Sequence, residues 1–535
     1  MNGAESLVRA LRAAGVDVCF ANPGTSEMHF VAALDAVGGI RCVLGLFEGV
    51  VTGAADGYAR MAGRPAVTLL HTGPGLANGI ANLHNARKAG TGVVNVVGEH
   101  ASWHIEHDAP LTADIEGLAR PVSHWLRTAT SATGLGADGA ATVRAARGAP
   151  GRIATLVVPA NTAWESADVD GAVPDDDADS PDGRADETLS PAATAPDPIA
   201  PERVAAVAAR LRGDAPVAIV LGGAALGEAA LERAGRIAAA SGATLLCETF
   251  KARMARGAGR VPVRDVPYRV SDATALLAPF AHLVTVGAKP PVAFFAYPDT
   301  PSELHAPSTE VHRLAGPEED VLGALEALER ELDAGGLDPG LQALDRPARP
   351  ADGPLTPEGL ADVVARLLPE DAIVVDESIT AGRALFGATA GAPRHDWLEV
   401  CGGSIGGGLP LATGAAVACP DRPVVCLEGD GSAMYTVQSL WTQAREGLDV
   451  TTVVLANGGY EILKHELANV RAGDGAASGR IALDMMELDR PELDWVAMAR
   501  SMGVGAIRAD TVAELEAALE RAFARAGPFL VEARL

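Results

Sequence analysis

The sequence predicts an α/β protein built from three doubly wound parallel-sheet domains. Short apolar runs rich in β-branched residues alternate with helix-period patterns along most of the chain, which is typical of such sheets. At 535 residues the chain is too long for one hydrophobic core. Two stretches with the composition of linkers divide it, and we expect domains at residues 1–165, 202–345 and 355–535.

The first domain opens with an amphipathic helix and continues with strands. Leu7, Val8 and Leu11 recur at helical spacing. The apolar runs that predict strands lie at residues 16–20, 41–46, 66–70 and 93–97. A turn at residues 22–27 follows the first strand, and a helix is expected to begin near Glu48.

An acidic segment rich in proline and alanine separates the first two domains. Residues 166–201 contain six prolines and the run Asp175-Asp176-Asp177, with almost no bulky apolar residues. Such a composition cannot bury a core, so we expect a linker or a disordered loop here.

The middle domain begins with a strand at residues 217–221, which runs into a glycine-rich turn at residues 222–227. Glu248 follows the end of this turn by 21 residues, which approximates a dinucleotide-binding fingerprint. Ala224 stands where a second glycine would let the backbone approach a pyrophosphate. We therefore favour a structural turn, and nucleotide binding is the weaker alternative.

Charge and cysteine usage exclude several classes of protein. The net charge of −26 argues against a nucleic-acid or anionic-membrane surface. The six cysteines show no Cys-x-x-Cys pair, which indicates reduced thiols. No apolar run is long enough to span a bilayer, and the chain starts on an amphipathic helix without a signal peptide. We expect a cytoplasmic protein.

The third domain places polar residues at the ends of two neighbouring strands. Apolar runs at residues 423–427 and 450–455 predict parallel strands, which end beside Asp430 and Asn457. Open α/β sheets hold their ligands at this carboxyl edge. Oxygen atoms of Asp430, Asn457 and the Gly459 carbonyl suit Mg²⁺, which binds a few protein oxygens together with phosphate oxygens.

The residues beside Asp430 also suit a diphosphate. Gly431 and a helix that we expect to open at Ser432 would present backbone N–H groups to it. Because Gly-Asp-Gly is common in loops, an ordinary acidic turn is the alternative.

The spacing from Gly429-Asp430-Gly431 to Asn457 resembles the metal-binding motif of thiamin-diphosphate enzymes. Ala456 departs from that motif, since many relatives have a second asparagine at this position.

Residues 48–63 resemble the glutamate-bearing helix of the same enzymes. Glu48 is the only charged residue between Arg41 and Asp56. The chemistry needs a buried carboxyl group that hydrogen-bonds the aminopyrimidine of the cofactor, which then removes the proton from thiazolium C2. The alternative is a structural acid in the first turn of a helix, where it stabilises the helix dipole.

Together with residues 71–78 and 401–414, these motifs resemble the family of acetolactate synthases, pyruvate decarboxylases and benzoylformate decarboxylases over essentially the whole chain. The resemblance implies pyrimidine-binding, middle and diphosphate-binding domains in that order, with thiamin diphosphate and Mg²⁺ as cofactors. It also implies a homodimer or homotetramer with active sites at the subunit interface, because the family's counterpart of Glu48 acts on a cofactor whose diphosphate the partner subunit holds.

The resemblance also implies the residues of the site. The cofactor-binding residues are Glu48, Thr380, Gly403, Ile405, Gly429, Asp430, Gly431, Ser432, Asn457 and Tyr460, and the metal ligands are Asp430, Asn457 and Gly459. Ile405 matches the aliphatic residue that bends the cofactor into a V, although without its flanking glycines it would pass for a core residue.

The family's reaction implies a 2-oxo acid as the substrate, which loses carbon dioxide through a C2 ylide and an enamine. Protonation then releases an aldehyde, whereas attack on a second carbonyl gives carboligation. The implied pocket residues are Thr25, His71, Ile462 and Leu463, of which the last two form an apolar wall without a charge. His71 matches the acid/base histidine of benzoylformate decarboxylase and can move protons near neutrality, with a structural histidine as the alternative.

Other features point to the acetolactate synthases, notably residues 73–75 and 118–122. His100, His104 and His107 have spacings that suggest a metal cluster, but we favour a polar surface loop.

Two other functions stay as alternatives. A lyase of the 2-hydroxyacyl-CoA or oxalyl-CoA type would want a basic groove, which we do not find in the sequence. A non-catalytic scaffold subunit that keeps the cofactor fits poorly with an intact Glu48 beside an intact metal motif. The identity of the 2-oxo acid, the balance of decarboxylation and carboligation, the choice of dimer or tetramer and an FAD in the middle domain are left open, with FAD the less favoured option.

Overall fold

The structure is a computed structural model that describes residues 1–167, 196–298, 300–471 and 479–535. Residues 168–195, which make up most of the expected acidic linker, lie outside the described residues.

The strands follow the apolar runs of the sequence. They are β1 Val18–Ala21, β2 Arg41–Leu44, β3 Ala66–Leu70, β4 Val93–Glu99, β5 Trp125–Thr128, β6 Ile153–Pro159, β7 Val217–Leu221, β8 Thr244–Cys247, β9 Met254–Arg256, β10 Arg264–Asp265, β11 His282–Val286, β12 Glu310–Ala315, β13 Ala372–Glu377, β14 His395–Glu399, β15 Val424–Gly429, β16 Val450–Ala456, β17 Gly505–Ala509 and β18 Phe529–Arg534.

The helices lie between the strands. They are α1 Gly3–Ala13, α2 Met28–Val37, α3 Glu48–Ala62, α4 Thr72–Ala89, α5 Ile115–Ala119, α6 Ala132–Ala146, α7 Ala160–Trp164, α8 Pro201–Leu211, α9 Glu228–Ser241, α10 Val270–Leu277, α11 Val321–Glu331, α12 Pro357–Leu367, α13 Leu385–Ala388, α14 Gly408–Ala418, α15 Asp430–Ala433, α16 Ser439–Glu446, α17 Glu461–Arg471, α18 Arg480–Asp484, α19 Trp495–Ser501 and α20 Val512–Phe523. Among the described residues, we find no helix whose length and apolar content would let it cross a membrane.

Within the described residues, the strands form three sheets of six, five and seven strands. Their strand orders are β2-β1-β3-β4-β6-β5, β10-β8-β7-β11-β12 and β17-β18-β16-β15-β13-β14-β9. Neighbouring strands in the sheets run parallel, except that β9 pairs antiparallel with β14 at an edge of the third sheet. This confirms the predicted α/β class with three parallel sheets, while the domain boundaries stay predictions.

The described residues fall into two compact units. One holds the six-stranded sheet and consists of residues 1–167, 402–420 and 436–448, and the other, built from the rest, holds the five- and seven-stranded sheets. Strands such as β3 and β7 are buried along their whole length. Strands covered on both faces need apolar residues at every position, which explains why they read as continuous apolar runs.

Some element bounds differ from the sequence prediction. The first strand begins at Val18 rather than at residue 16, and the second ends at Leu44 rather than at residue 46. The helix expected to open at Ser432 begins at Asp430 and lasts one turn. A tight turn follows it, closed by the Tyr435 N–H on the Ser432 carbonyl at 3.1 Å, so the apolar residues after it do not extend the helix.

Helices α3 and α14 pack at close backbone distance in the first unit. A Cβ added to Gly414 would lie 1.9 Å from the Ala54 carbonyl oxygen, and one on Gly57 would lie 2.1 Å from that of Leu411. Backbone cannot yield as a side chain can, so these two positions require glycine.

We expect Gly414→Ala to lower the free energy of unfolding by about 1–3 kcal/mol or more, because its methyl group would force the two helices apart. Thermal unfolding measures the change against Gly387→Ala in α13, where an added Cβ meets no atom within 4 Å. Equal unfolding midpoints for the two variants would contradict the close approach.

Candidate active site

The first group of predicted site residues lies at one edge of the six-stranded sheet. β2, β1 and β3 are parallel neighbours, so their carboxyl ends meet at this edge. The turn at residues 22–27 follows β1, Glu48 begins α3 shortly after β2, and His71 follows β3 as the N-cap of α4. This is the edge where open parallel sheets hold ligands.

Glu48 is buried, with 7% of its surface exposed. The Asn78 side-chain amide donates to Glu48 Oε2 at 3.0 Å. A Cβ added to Gly75 would lie 2.8 Å from Glu48 Oε1 and 3.2 Å from the Cβ of His71. Gly75 therefore lies next to both side chains, which places Glu48 and His71 near each other.

His71 is held by an acidic residue that sequence reasoning did not single out. Its Nδ1 lies 2.9 Å from Oε2 of the buried Glu27, which also accepts the Gly24 N–H at 2.9 Å. The Ser26 hydroxyl donates to Glu27 Oε1 and lies 3.3 Å from Nδ1. A Cβ on Gly24 would lie 2.0 Å from the His71 ring, so the turn packs directly on the imidazole.

This contact fixes the orientation of the imidazole. An Nδ1–H donated to the Glu27 carboxylate leaves Nε2 of His71 to accept or donate a proton. The signal in the sequence was the acid that ends the turn at residues 22–27, but its partner lies 44 positions away in the chain. Thr25, the predicted pocket residue, lies in the same turn, is exposed, and begins the short 3-10 helix Thr25–Glu27.

The glycine-rich loop with Gly403 and Ile405 belongs to the same unit. Gly403 and Gly406 have φ angles of 72° and 90°, a left-handed conformation that favours glycine. The Asn85 side chain of α4 accepts the Ser404 N–H at 3.1 Å and donates to the Ser404 carbonyl at 2.7 Å. These bonds hold the loop that carries the half-buried Ile405.

The second group of site residues lies at the carboxyl ends of β15 and β16, which are parallel neighbours. Asp430 Oδ2 accepts the Gly458 N–H at 2.7 Å, and its Oδ1 accepts the Gly431 N–H at 2.8 Å. Asn457 Oδ1 accepts the Gly459 N–H at 3.1 Å. The two side chains that were predicted to bind the metal thus lie at one edge of the seven-stranded sheet.

The donor set fits a hard divalent cation. Burial raises the pKa of Asp430, while hydrogen bonds from the backbone N–H groups of Gly458 and Gly431 lower it. Among the described residues, no lysine, arginine or histidine side chain forms an ion pair with Asp430. A buried carboxylate without a countercharge, beside the Asn457 amide oxygen and backbone carbonyls, offers the oxygen ligands that Mg²⁺ prefers.

Close packing surrounds the Gly-Asp-Gly turn. A Cβ on Gly431 would lie 2.3 Å from the Tyr460 ring. The Ser432 hydroxyl donates to Glu428 Oε1 at 2.5 Å, so this hydroxyl is turned into the protein. Glu428 lies opposite Glu377 of the neighbouring strand, and burial and that acid raise the pKa of Glu428 well above its usual range. Sequence reasoning missed this pair.

The remaining predicted residues lie in a turn and a helix of the same unit. Thr380 is half-buried in the turn after β13. Ile462 and Leu463 lie in the first turn of α17, where Leu463 is 45% exposed. Next to them, Lys464 Nζ lies 3.1 Å from a Cβ built on Gly459 and pairs with Glu461 at 2.6 Å. The helical turn thus places an ion pair beside the two apolar residues, and their role as an uncharged pocket wall stays a prediction.

In the five-stranded sheet, the glycine-rich turn after β7 is hydrogen-bonded by Glu248, the residue that follows β8. Glu248 Oε1 accepts the Gly223 N–H at 3.2 Å, and burial raises the pKa of Glu248 to about 7. A Cβ on Gly222 would lie 2.8 Å from the Ala288 Cβ. These contacts support the structural role that the sequence favoured for this turn.

Two family models match the chain. Residues 1–118 match the N-terminal TPP binding domain of the thiamine pyrophosphate enzymes, and residues 384–533 match their C-terminal TPP binding domain. These matches cover both groups of site residues, except that Thr380 lies just outside the second.

Similar proteins extend this match to the whole chain. The chain is 51% identical over 533 residues to the Mycobacterium tuberculosis protein named "Putative acetolactate synthase large subunit IlvX", which covers 99% of this chain and 98% of that protein. It is 31% identical over 551 residues to benzoylformate decarboxylase of Pseudomonas aeruginosa, covering 98% and 96%.

A solved structure shares the fold. The thiamine diphosphate-dependent 4-hydroxybenzoylformate decarboxylase of Rhodococcus jostii RHA1 superposes with a TM-score of 0.85 at 24% identity, covering 100% of this chain and 99% of that one. The family models and the full-length relatives together confirm the resemblance found in the sequence. The chain belongs to the thiamine pyrophosphate enzymes, in the group of 2-oxo acid decarboxylases and carboligases that includes acetolactate synthases and benzoylformate decarboxylases.

Proposed function

We propose that this enzyme uses thiamin diphosphate and Mg²⁺ to decarboxylate a 2-oxo acid, and that His71, oriented by Glu27, transfers protons in the reaction. The observation that carries the proposal is the 2.9 Å contact between His71 Nδ1 and the buried Glu27 carboxylate, beside Glu48. An imidazole fixed through one nitrogen presents the other to a substrate in a defined direction, as a general acid or base requires.

The cofactor would be held by the residues described above. Asp430, Asn457 and the Gly459 carbonyl would bind Mg²⁺ together with the diphosphate, and Glu48 would hold a proton at the aminopyrimidine ring. Bound thiamin diphosphate supplies an electron sink for the electron pair left when carbon dioxide departs. Ile405, on the loop held by Asn85, would position the cofactor rings.

The protein's own groups then decide what happens to that electron pair. His71 Nε2 would donate a proton to the substrate's carbonyl oxygen during addition and take it back during product release. Glu27 would keep Nδ1 protonated and would stabilise the imidazolium whenever both nitrogens carry protons. Aldehyde release also requires a proton from solvent at the carbon that has lost carbon dioxide, and rapid delivery of that proton by His71 would favour aldehyde release over capture by a second carbonyl compound.

Carboligation is the second candidate function. It is favoured by the full-length relative at 51% identity, whose name assigns it to the acetolactate synthases. The benzoylformate decarboxylases among the relatives favour an aryl 2-oxo acid and aldehyde release. In either case we propose a homodimer or homotetramer, in which Glu48 of one subunit serves the cofactor of its partner.

Replacing His71 with alanine tests the proposal. We expect turnover to fall by about 10²–10⁴-fold, the range for a positioned acid/base group, and the share of carboligated product to rise when an acceptor aldehyde is added. Carbon dioxide release and product ratios from a panel of 2-oxo acids measure both effects. Glu27→Gln should lower kcat in the same direction by a smaller factor, without a change in cofactor affinity.

His29→Ala is the matched control, since His29 is an exposed histidine of the same unit whose ring faces Trp164 at 5.6 Å. It should keep wild-type turnover. If His71→Ala also keeps full decarboxylation and the wild-type product ratio, His71 is structural and the carboligase function becomes the better assignment.

A further inference from the structure

Two histidines and a glutamate meet on one face of the five-stranded sheet. β11 and β12 are parallel neighbours, with His282 opposite Glu310 and Val284 opposite His312. Successive side chains of a strand alternate between faces, so Glu310 and His312 share a face, and the register places His282 on it beside them.

The three ligand atoms form a nearly equilateral triangle. His282 Nδ1 and His312 Nε2 are 3.3 Å apart, and each lies 3.5 Å from Glu310 Oε2. Ligand atoms bound at about 2.1 Å from a tetrahedral zinc ion lie about 3.4 Å from one another. Adjacent ligands of an octahedral ion at the same bond length lie only about 3.0 Å apart, so the triangle fits tetrahedral geometry better.

We propose that His282, Glu310 and His312 form a binding site for a divalent transition-metal ion of the zinc class, with the fourth position open to water. Two imidazole nitrogens and one carboxylate oxygen are ligands that this class of ion accepts and that Mg²⁺ rarely takes together. Among the described residues, this is the group of histidine, cysteine and acidic side chains whose ligand atoms converge in this way.

The surroundings allow the ligand set to bind a cation. Arg210 Nη2 lies 3.6 Å from Glu310 Oε2 and competes for the carboxylate, but its side chain is 51% exposed and can turn into solvent.

The position in the sheet indicates what the metal would do. His282 and Glu310 are the first residues of their strands, so the site lies at the amino ends of β11 and β12, away from the carboxyl edge that holds ligands in this class of fold. β12 is the edge strand of its sheet. A bound ion would tie this edge strand to its neighbour, which is a stabilising role that does not depend on the proposed reaction.

Zinc titration of the full-length holoenzyme tests the site. Protein freed of metal by a chelator is reloaded with excess Mg²⁺ and thiamin diphosphate, and Zn²⁺ is then titrated by calorimetry. We expect about one additional saturable site per chain. His282→Asn and His312→Asn should each weaken zinc binding at least tenfold, because losing a residue that binds the ion costs more affinity than losing a residue that only hydrogen-bonds a ligand, which costs about 10–100-fold. Turnover should be unchanged in both variants.

The control is His104→Asn, from the histidine loop that the sequence had suggested as a metal cluster. The ring centroid of His104 lies 5.5 Å from that of His100 and 5.7 Å from that of His107. The His104→Asn variant should leave zinc binding unchanged. Zn²⁺ should also raise the thermal midpoint of the wild type and of His104→Asn, but not of the two site variants. Co²⁺ in place of Zn²⁺ should give the visible spectrum of a four-coordinate ion.

Glu310→Gln provides a further variant on an exposed side chain, so a folding defect in one histidine variant leaves the test intact. Wild-type zinc affinity in all three site variants would overturn the proposal. Loss of the additional zinc site in His104→Asn alone would also overturn it, because that result would assign the site to residues 100–107.

Discussion

Asp430→Ala is expected to abolish turnover and to release thiamin diphosphate together with Mg²⁺. The carboxylate is buried, accepts two backbone N–H groups and has no cationic partner among the described residues, so its charge is available to a metal ion. A Mg²⁺ ion that depends on this carboxylate would be lost with it, and the diphosphate that the ion helps to hold would then bind weakly. We expect a loss of about 10³-fold or more in activity, measured alongside the cofactor content of the purified protein.

Two further variants distinguish the loss of a metal-binding charge from damage to the fold. Asp430→Asn keeps a side-chain oxygen for one N–H group but loses the charge, so it should fold normally and recover part of its cofactor at high Mg²⁺. Asp494→Ala removes an exposed carboxylate that caps α19 by accepting the Ala497 N–H at 2.8 Å. It should cost about 1 kcal/mol of stability and leave the cofactor bound. Full cofactor retention in Asp430→Ala would return the motif to an ordinary acidic turn.

Glu48→Gln is expected to leave the cofactor bound but to slow turnover by about 10²–10⁴-fold. Glutamine has the shape of the side chain that accepts the Asn78 amide, so the site should keep its geometry. What it lacks is a carboxyl group that can share a proton with the aminopyrimidine ring. Hydrogen–deuterium exchange at C2 of the bound cofactor measures this step directly and should slow in parallel with turnover.

Glu5→Gln is the matched control for this variant. Glu5 is also an acid in the first turn of a helix, so its replacement removes only the favourable interaction with the helix dipole, worth about 0.3–1 kcal/mol. It should leave exchange and turnover unchanged. A Glu48→Gln protein with wild-type exchange would show that Glu48 serves its helix in the same way as Glu5.

Local patterns predicted much of the fold. β3 occupies the residues at which its apolar run placed it, and Asp430 and Asn457 follow neighbouring parallel strands as expected. The helix after Asp430 could not be bounded in this way, because apolar spacing continues through a turn that backbone hydrogen bonds close. Lys464 was missed at the apolar wall because its position beside Gly459 depends on where α17 begins.

By itself, the sequence determined the α/β class, the order of the sheets and the motif residues that follow their strands, since buried strands and their glycine-rich turns are encoded by neighbouring residues. Only the tertiary structure decided which distant side chains meet. Glu27 reaches His71 because β1 and β3 are adjacent, and His282 faces Glu310 because β11 and β12 share a register. Strand order and register arise from the packing of the whole sheet, and no local period of the sequence encodes them.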